Sequence, residues 1–523
     1  MEGTDSGSDS FINGSEILAG PISFLFKTFL IHSYIPVFLL ICSLVPLVKD
    51  KLGEISSSDN YRAIAISSLM LKILDWIILL LFSDKLKTCD LQFGFQQDSS
   101  TQMCTWIVSE VISYYMRSGT SIFCCLLDLK KAFDKVEFAK LFEKMKQRNI
   151  SGIFLRLLIF IYLHQSCRVQ WNGIHSEEFK VMNGVRQGAI LSPCLFSLYI
   201  NSLLLQLEDS GFGCHVGNYY YGCAAYADDI VLLSPTRNGL QEMFSICEVY
   251  FLDHKISIST NPDITKSKTK CLYFSHNNDK KIPAPIMLGE MPLPWVDAWA
   301  HLGNELNTKD MSIPYKNSLD SDSQNKKRKF ISKFHALRQE FGFLKSESLF
   351  NLIQIYATSF YGSNLWLFTS EGTEKIFTSW NTMIRTVWNL PNTTHCYFVE
   401  HISNAKHIKA VFYQRYLTFI QTLCKSEKKC LAALANLSCK DNGSLTKQNL
   451  NLISEDTGCE NILDANPRFI ASQTVYAEVP EEEKWRIAIL KELLLVRDED
   501  LEIGDDLLSS EELNDLINMI CTT

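Results

Sequence analysis

The stretch that most limits what this chain can fold into is Gly222-Cys223-Ala224-Ala225-Tyr226-Ala227-Asp228-Asp229-Ile230-Val231-Leu232-Leu233-Ser234. Small and apolar residues lead into an acid pair, and a β-branched and aliphatic run leads out. The pattern predicts two buried strands joined by a tight turn that carries Asp228 and Asp229. The common turn dipeptides pair Asp or Asn with Gly, and no Gly stands here. Two adjacent carboxylates between apolar strands are costly to keep ionised. A solvated loop tip is one escape from that cost. A divalent cation held by clustered oxygens is another, and it calls for a further carboxylate from elsewhere in the chain.

A candidate lies well upstream. Ser121 to Leu127 is an apolar strand that ends at Asp128; a turn follows, and then a helix through Gln147. Asp134 and Glu137 have capping-box spacing, so Asp134 is expected to cap that helix. Asp128 has no such local task.

The blocks Asp128 with Ala132-Phe133-Asp134, then Gly184-Val185-Arg186-Gln187-Gly188-Ala189-Ile190-Leu191-Ser192-Pro193, then Tyr226-Ala227-Asp228-Asp229 stand in this order. Together they resemble a reverse transcriptase, in the flavour of the non-LTR retrotransposon (LINE-type, jockey-like) enzymes. The resemblance covers residues 34–306 and continues more loosely into the 430s. It implies an α+β fold, the right-hand polymerase, with fingers, a palm built on an antiparallel sheet and a helical thumb, plus a helical C-terminal region. The implied domains are an N-terminal leader (1–33), fingers and palm (34–306), thumb and connection (307–435), and an irregular segment with an acidic tail (436–523).

The resemblance also implies an RNA-directed DNA polymerase that takes an RNA template, a DNA primer and deoxynucleoside triphosphates. Such an enzyme joins a primer 3′-hydroxyl to an α-phosphate with two Mg²⁺ ions, for which Mn²⁺ can substitute. Asp128 and Asp228 would bridge the ions, with Asp229 in support and the Leu129 carbonyl as a further metal ligand. Arg62 matches the fingers arginine that meets the incoming triphosphate; a surface ion pair is its ordinary explanation, and Lys49 is a weaker candidate for the same task. Phe133 matches the aromatic that blocks a sugar 2′-hydroxyl, against plain core packing. Gln187 and Gly188 match the pair beside the nascent base pair. Lys268 matches a lysine near the triphosphate, although lysine is also common at a solvated strand edge. Phe93-Gly94-Phe95-Gln96 is read equally as a template contact or as loop packing. Lys326, Lys327, Arg328 and Lys329 precede an apolar-periodic segment from Asn325 and suit a thumb that grips duplex; a solvated face or an import signal would look the same. Two details depart from the common pattern: Ala63 stands where many relatives have Pro, and Ala189 where they have Asp or Gly.

The net charge of −8 argues against a nucleic-acid enzyme only on average. From Glu478 to Thr523 there are 14 acids and 4 bases, so this tail holds ten negative charges and the rest of the chain nets +2. A basic groove needs no high overall charge. The 17 cysteines include no C-x-x-C pair, which indicates reduced thiols in an intracellular protein. Residues 1–15 are Gly/Ser/Asp-rich and expected to be disordered. The apolar stretch from Ile22 to Val48 is broken by Lys27, His32, Pro36 and Pro46, so no membrane role is expected. Residues 436–475 are expected to be irregular, and Ser509 with Glu512 to cap a terminal helix over Leu513–Ile520.

A competing reading is a degenerate element remnant that only binds RNA. The lack of an N-terminal endonuclease and of a Cys/His knuckle favours it; the three intact acids weigh against it.

Overall fold

The computed structural model describes residues 15–51, 53–261, 267–276, 282–309, 320–403, 407–473, 484–498 and 510–522. The expected disorder of the N-terminal residues, save Ser15, and the Ser509 cap lie outside them. The chain divides into two compact units, each assembled from three stretches of sequence, whereas the expected domains are consecutive. The first unit comprises 1–104, 123–271 and 284–294; the second comprises 105–122, 272–283 and 295–523.

In the first unit, strands β1 (Ile41–Val48) and β2 (Tyr61–Ile66) pair antiparallel, with Leu47 opposite Arg62. The apolar stretch at 22–48 is thus a helix, Ser15–His32, followed by a short 3-10 turn and a strand. No helix among the described residues is long and apolar enough to cross a membrane.

The segment that ends at Asp128 is strand β3 (Ile122–Leu127). Strand β4 (Ser166–Trp171) follows it in sequence but joins the other sheet, running parallel to β1. It turns back through Asn172 and Gly173, both at positive φ, as an Asn-Gly hairpin should. The acid hairpin supplies β5 (Cys223–Tyr226) and β6 (Asp229–Ser234), and β7 (Lys270–Phe274) completes a four-stranded sheet in the order β5-β6-β3-β7. Every side chain of β6 from Ile230 to Ser234 is buried, which is why the run is continuously apolar rather than alternating. Helices Ser192–Asp209 and Arg237–Asp253 pack on β5 and β6 respectively. Pro193 sits in the first turn of the former, and Thr236 caps the latter by accepting from the Gly239 amide at 3.0 Å.

The second unit is mainly helical. A hairpin of β8 (Ala298–His301) and β9 (Asn304–Asn307) turns at Leu302 and Gly303. The helix Asp320–Phe341, which starts before the expected Asn325, packs on Glu371–Val387. The irregular structure expected over 436–475 is corrected: helices Lys429–Ser438, Leu445–Thr457 and Pro467–Gln473 occupy much of it. Its polar residues mislead because they are buried as hydrogen-bonding groups. Asn449 is fully buried; it accepts from the Phe368 amide (2.9 Å) and donates to the Trp366 carbonyl (2.8 Å). The terminal helix spans Ser510–Thr522, with Leu513, Ile517 and Ile520 buried.

Candidate active site

Tyr226 and Asp229 face each other at the end of the β5–β6 hairpin, so Ala227 and Asp228 are its two loop residues. Ala227 lies at φ +57°, the left-handed conformation that the tight hairpin turns require and that Gly usually fills. For a residue with a Cβ that conformation costs about 1–2 kcal/mol. On the neighbouring strand β3, Leu127 pairs with Ile230; one step further along that register sets Asp229 across from Asp128. The Asp128 backbone is held on both sides. Its amide donates to Thr269 Oγ1 (3.2 Å), and its carbonyl accepts from the Ser259 amide (2.7 Å).

The two turn acids both feel Asp128. Burial raises the Asp228 carboxyl above its ordinary range, and the charge of Asp128 adds to that while Arg62 opposes it. Loss of hydration among surrounding protein atoms, then Asp228 and Asp128, push the Asp229 carboxyl up to about 6, although its side chain still reaches solvent. Among the described residues no three His, Cys, Asp or Glu side chains are gathered into a ready metal cage. Mg²⁺ seldom uses such a cage; it takes one or two carboxylates and completes its shell with water and phosphate. Asp228 and Asp229, biased toward protonation by burial first and by neighbouring carboxylates second, suit that arrangement, because a cation offsets both effects.

Arg62, which acts on Asp228 and Asp229, also belongs to a group of exposed cations. Burial lowers the Lys49 ammonium, and so do Lys268, Lys131 and Arg62 in that order, which places the four in one neighbourhood. Lys131 pairs with Asp59 at 2.8 Å. Lys131 is not singled out by the sequence; its place after Asp128 in a turn, at φ +49°, is the available signal.

Phe133 lies in the short 3-10 turn Ala132–Lys135, half-buried and stacked on the fully buried Phe196 with ring centroids 4.4 Å apart. One ring face therefore rests on the core while the residue keeps some exposure. The loop from Gly184 is laced to this turn: Gly184 and Val185 amides donate to the carbonyls of Val136 and Phe133, each at 2.8 Å. Arg186 is buried against Asp75 at 3.8 Å and over the Tyr162 ring, and so anchors the loop from below. Gln187 Nε2 donates to Asp134 Oδ1 at 3.0 Å. This corrects the capping expectation for Asp134. The helix is Phe138–Gln147, with Glu137 at the cap position and no side-chain bond there; Asp134 lies in the preceding 3-10 turn, and the Glu137 carboxylate accepts from Lys255 instead. The Gln187 carbonyl in turn accepts from the Ala65 amide of β2 at 2.6 Å, and Gly188 lies against the same strand. Residues Arg62, Phe133, Gln187, Gly188 and Lys268 thus all belong to the first unit with the acids.

The basic run belongs to the second unit. Lys326 is mostly buried there, donating to the Gly303 carbonyl (2.7 Å) and lying 3.9 Å from Asp322. Arg328 and Lys329 are exposed, and Lys327 is half-exposed. Phe93-Gly94 lies against the acid turn, where Phe93 donates to the Ala225 carbonyl at 2.7 Å.

Residues 49–282 match the family model of the reverse transcriptase (RNA-dependent DNA polymerase). The chain is 26% identical over 254 residues to a retrovirus-related Pol polyprotein from a type-2 retrotransposable element of Drosophila melanogaster, a match covering 47% of this chain and 23% of that one. It is 23% identical over 259 residues to the RNA-directed DNA polymerase from the mobile element jockey of the same fly, covering 48% and 27%. Among solved structures it is similar to a telomerase from Candida albicans in complex with a telomeric RNA fragment, with TM-score 0.38, 12% identity, and coverage of 84% of this chain and 66% of that chain. The match spans about a quarter or less of the length of the first curated relatives.

Proposed function

We propose that this chain, which carries a reverse transcriptase domain of the non-LTR retrotransposon kind, copies an RNA template into DNA by extending a primer with deoxynucleoside triphosphates. The observation that carries the reading is the strand register that sets Asp128, Asp228 and Asp229 at the adjoining ends of β3, β5 and β6, with Arg62 acting on the two turn acids. A pair of Mg²⁺ ions, held by Asp128, Asp228 and the Leu129 carbonyl with Asp229 in support, would supply charge stabilisation for in-line phosphoryl transfer. The chain's own residues do the remaining work. Arg62, Lys268 and Lys49 draw the triphosphate to the acid turn and neutralise it. Phe133, backed by Phe196, presents a ring face at the sugar and excludes a 2′-hydroxyl by contact. Gln187, fixed by Asp134, and Gly188 line the floor under the new base pair. Lys327, Arg328 and Lys329 hold duplex by its phosphates, which confers affinity without sequence preference.

The test is primer extension on an RNA template, with wild type and Asp228→Asn compared at equal Mg²⁺. Extension by the wild type and its loss in the folded variant are the expected results. A folded wild type that binds RNA and never extends a primer would instead establish the remnant reading.

A further inference from the structure

We propose that Gln92 is a positioning residue for the acid turn, its side-chain carbonyl holding Ala227 in the conformation that aims Asp228. The inference rests on the reading of Asp228 as a metal ligand. Gln92 is fully buried, and its Oε1 accepts two backbone donors, Gly94 N–H at 2.8 Å and Ala227 N–H at 2.9 Å. Its own backbone forms a bridge parallel to Ala225, with the Ala225 amide donating to the Leu91 carbonyl at 2.9 Å. Gly94 presses flat on the turn: a Cβ there would overlap the Ala227 amide nitrogen and lie 2.9 Å from the Tyr226 carbonyl carbon. From the other side Ser197 Oγ donates to the Gly94 carbonyl at 3.2 Å, fixing this brace to the helix Ser192–Asp209.

The chemistry explains the residue type. At φ +57° the buried Ala227 amide turns away from the hairpin ladder and needs an acceptor. A carboxylate there would add a fourth negative charge beside Asp128, Asp228 and Asp229, whereas an aliphatic side chain would leave the amide unpaired. A neutral amide oxygen meets both demands. Without it Ala227 is free to relax to negative φ, which rotates the Ala227–Asp228 peptide and swings the Asp228 carboxyl off its line. Ligand geometry at a metal tolerates little such motion.

The experiment uses the full chain with two substitutions. Gln92→Met keeps the length and removes the acceptor; Gly94→Ala displaces the turn from its other face. Extension rate is read against Mg²⁺ concentration, Mn²⁺ binding is read by electron paramagnetic resonance without nucleotide, and primer–template affinity and the melting midpoint are measured alongside. An ångström of misplacement predicts a fall in kcat of about a hundredfold. Mn²⁺ binding weakens and half-maximal Mg²⁺ rises in parallel, with the primer–template affinity of Gln92→Met unchanged. Unaltered activity overturns the proposal. So does lost activity with unaltered metal dependence, and so does failure of both variants to fold, because Gln92 then serves only the fold. A wild type that extends no primer refutes the polymerase reading alone, since Mn²⁺ binding still decides the role of Gln92.

Discussion

Gly188→Ala gives a demanding test of how the loop after Gly184 is joined to β2. Gly188 sits at φ +109°, outside the region that any L side chain adopts readily, so the substitution costs about 1–3 kcal/mol in backbone strain alone. The added Cβ would also lie 2.8 Å from the Ala65 carbonyl oxygen and 3.2 Å from Ile64 Cγ2. Backbone cannot swing aside like the end of a lysine. Either β2 moves by several tenths of an ångström or the 2.6 Å bond from the Ala65 amide to the Gln187 carbonyl breaks, at about 0.5–1.5 kcal/mol. The total is roughly 2–4 kcal/mol, and each kcal/mol lowers the melting midpoint by about 2–4 °C for a unit of this size. Because Arg62 lies three residues before Ala65 on the same strand, the proposed nucleotide site should suffer as well. The assays are thermal unfolding and steady-state extension with varied nucleotide. The expected result is a midpoint lower by several degrees and a KM for nucleotide raised more than the Kd for primer–template. An unshifted midpoint, or equal effects on nucleotide and primer, would refute the proposed link between loop, strand and triphosphate.

The raised Asp229 carboxyl makes a signed pH prediction. Its folded value of about 6 exceeds the ordinary 3.8, so between these values the metal-free fold holds a proton that the unfolded chain releases. Its contribution to stability therefore declines as pH rises from 4 to 6. Urea unfolding in chelator should show wild type losing stability relative to Asp229→Asn over that window, and Mg²⁺ binding should weaken as pH falls below about 6 because the ion must displace a proton. Phe133→Val should raise ribonucleotide use relative to deoxyribonucleotide use; an unchanged ratio with activity retained would return Phe133 to the core. Replacing Lys327, Arg328 and Lys329 with Gln should flatten the salt dependence of duplex binding by about one unit of slope for each phosphate that is no longer neutralised. Coincident slopes would make the run a solvated face.

The acid hairpin and its partner strand are legible in the sequence because burial on both sides of β6 forces a continuous apolar run, and a run broken by two acids has few explanations. The helix Ser192–Asp209 announces itself through Pro193, and Arg237–Asp253 through the spacing of Leu240, Met243, Phe244, Cys247 and Phe251, all buried. What escapes is whatever depends on partners distant in sequence. Asp134 looks like a cap because capping-box spacing is local, whereas Gln187 lies far along the chain. Gln92 stands one residue before the Phe93–Gln96 stretch, and nothing local marks an amide that accepts from Ala227. Lys326 reads as part of a basic run, yet the carbonyl of Gly303 in a preceding hairpin claims it. The helix Leu445–Thr457 is hidden because its core-facing residues include Asn449 and Thr446, whose burial only the fold reveals.

The discontinuity of the two units sets an order of events during synthesis. All three acids have left the ribosome soon after Asp229 is made, but the first unit closes only with residues 284–294. Residues 105–122 wait longer still, since Arg117 pairs with Asp441 at 2.7 Å and Thr105 with His301 at 3.2 Å. Until those partners arrive, Trp106, Ile107, Val108, Val111 and Ile112, all buried in the finished protein, lack part of the surface that covers them. At about 1.5–3 kcal/mol for each large apolar side chain, that is a strong incentive to find another surface. A nascent chain stalled before Asp441, or a fragment cut at residue 282, is therefore expected to leave part of this apolar surface uncovered.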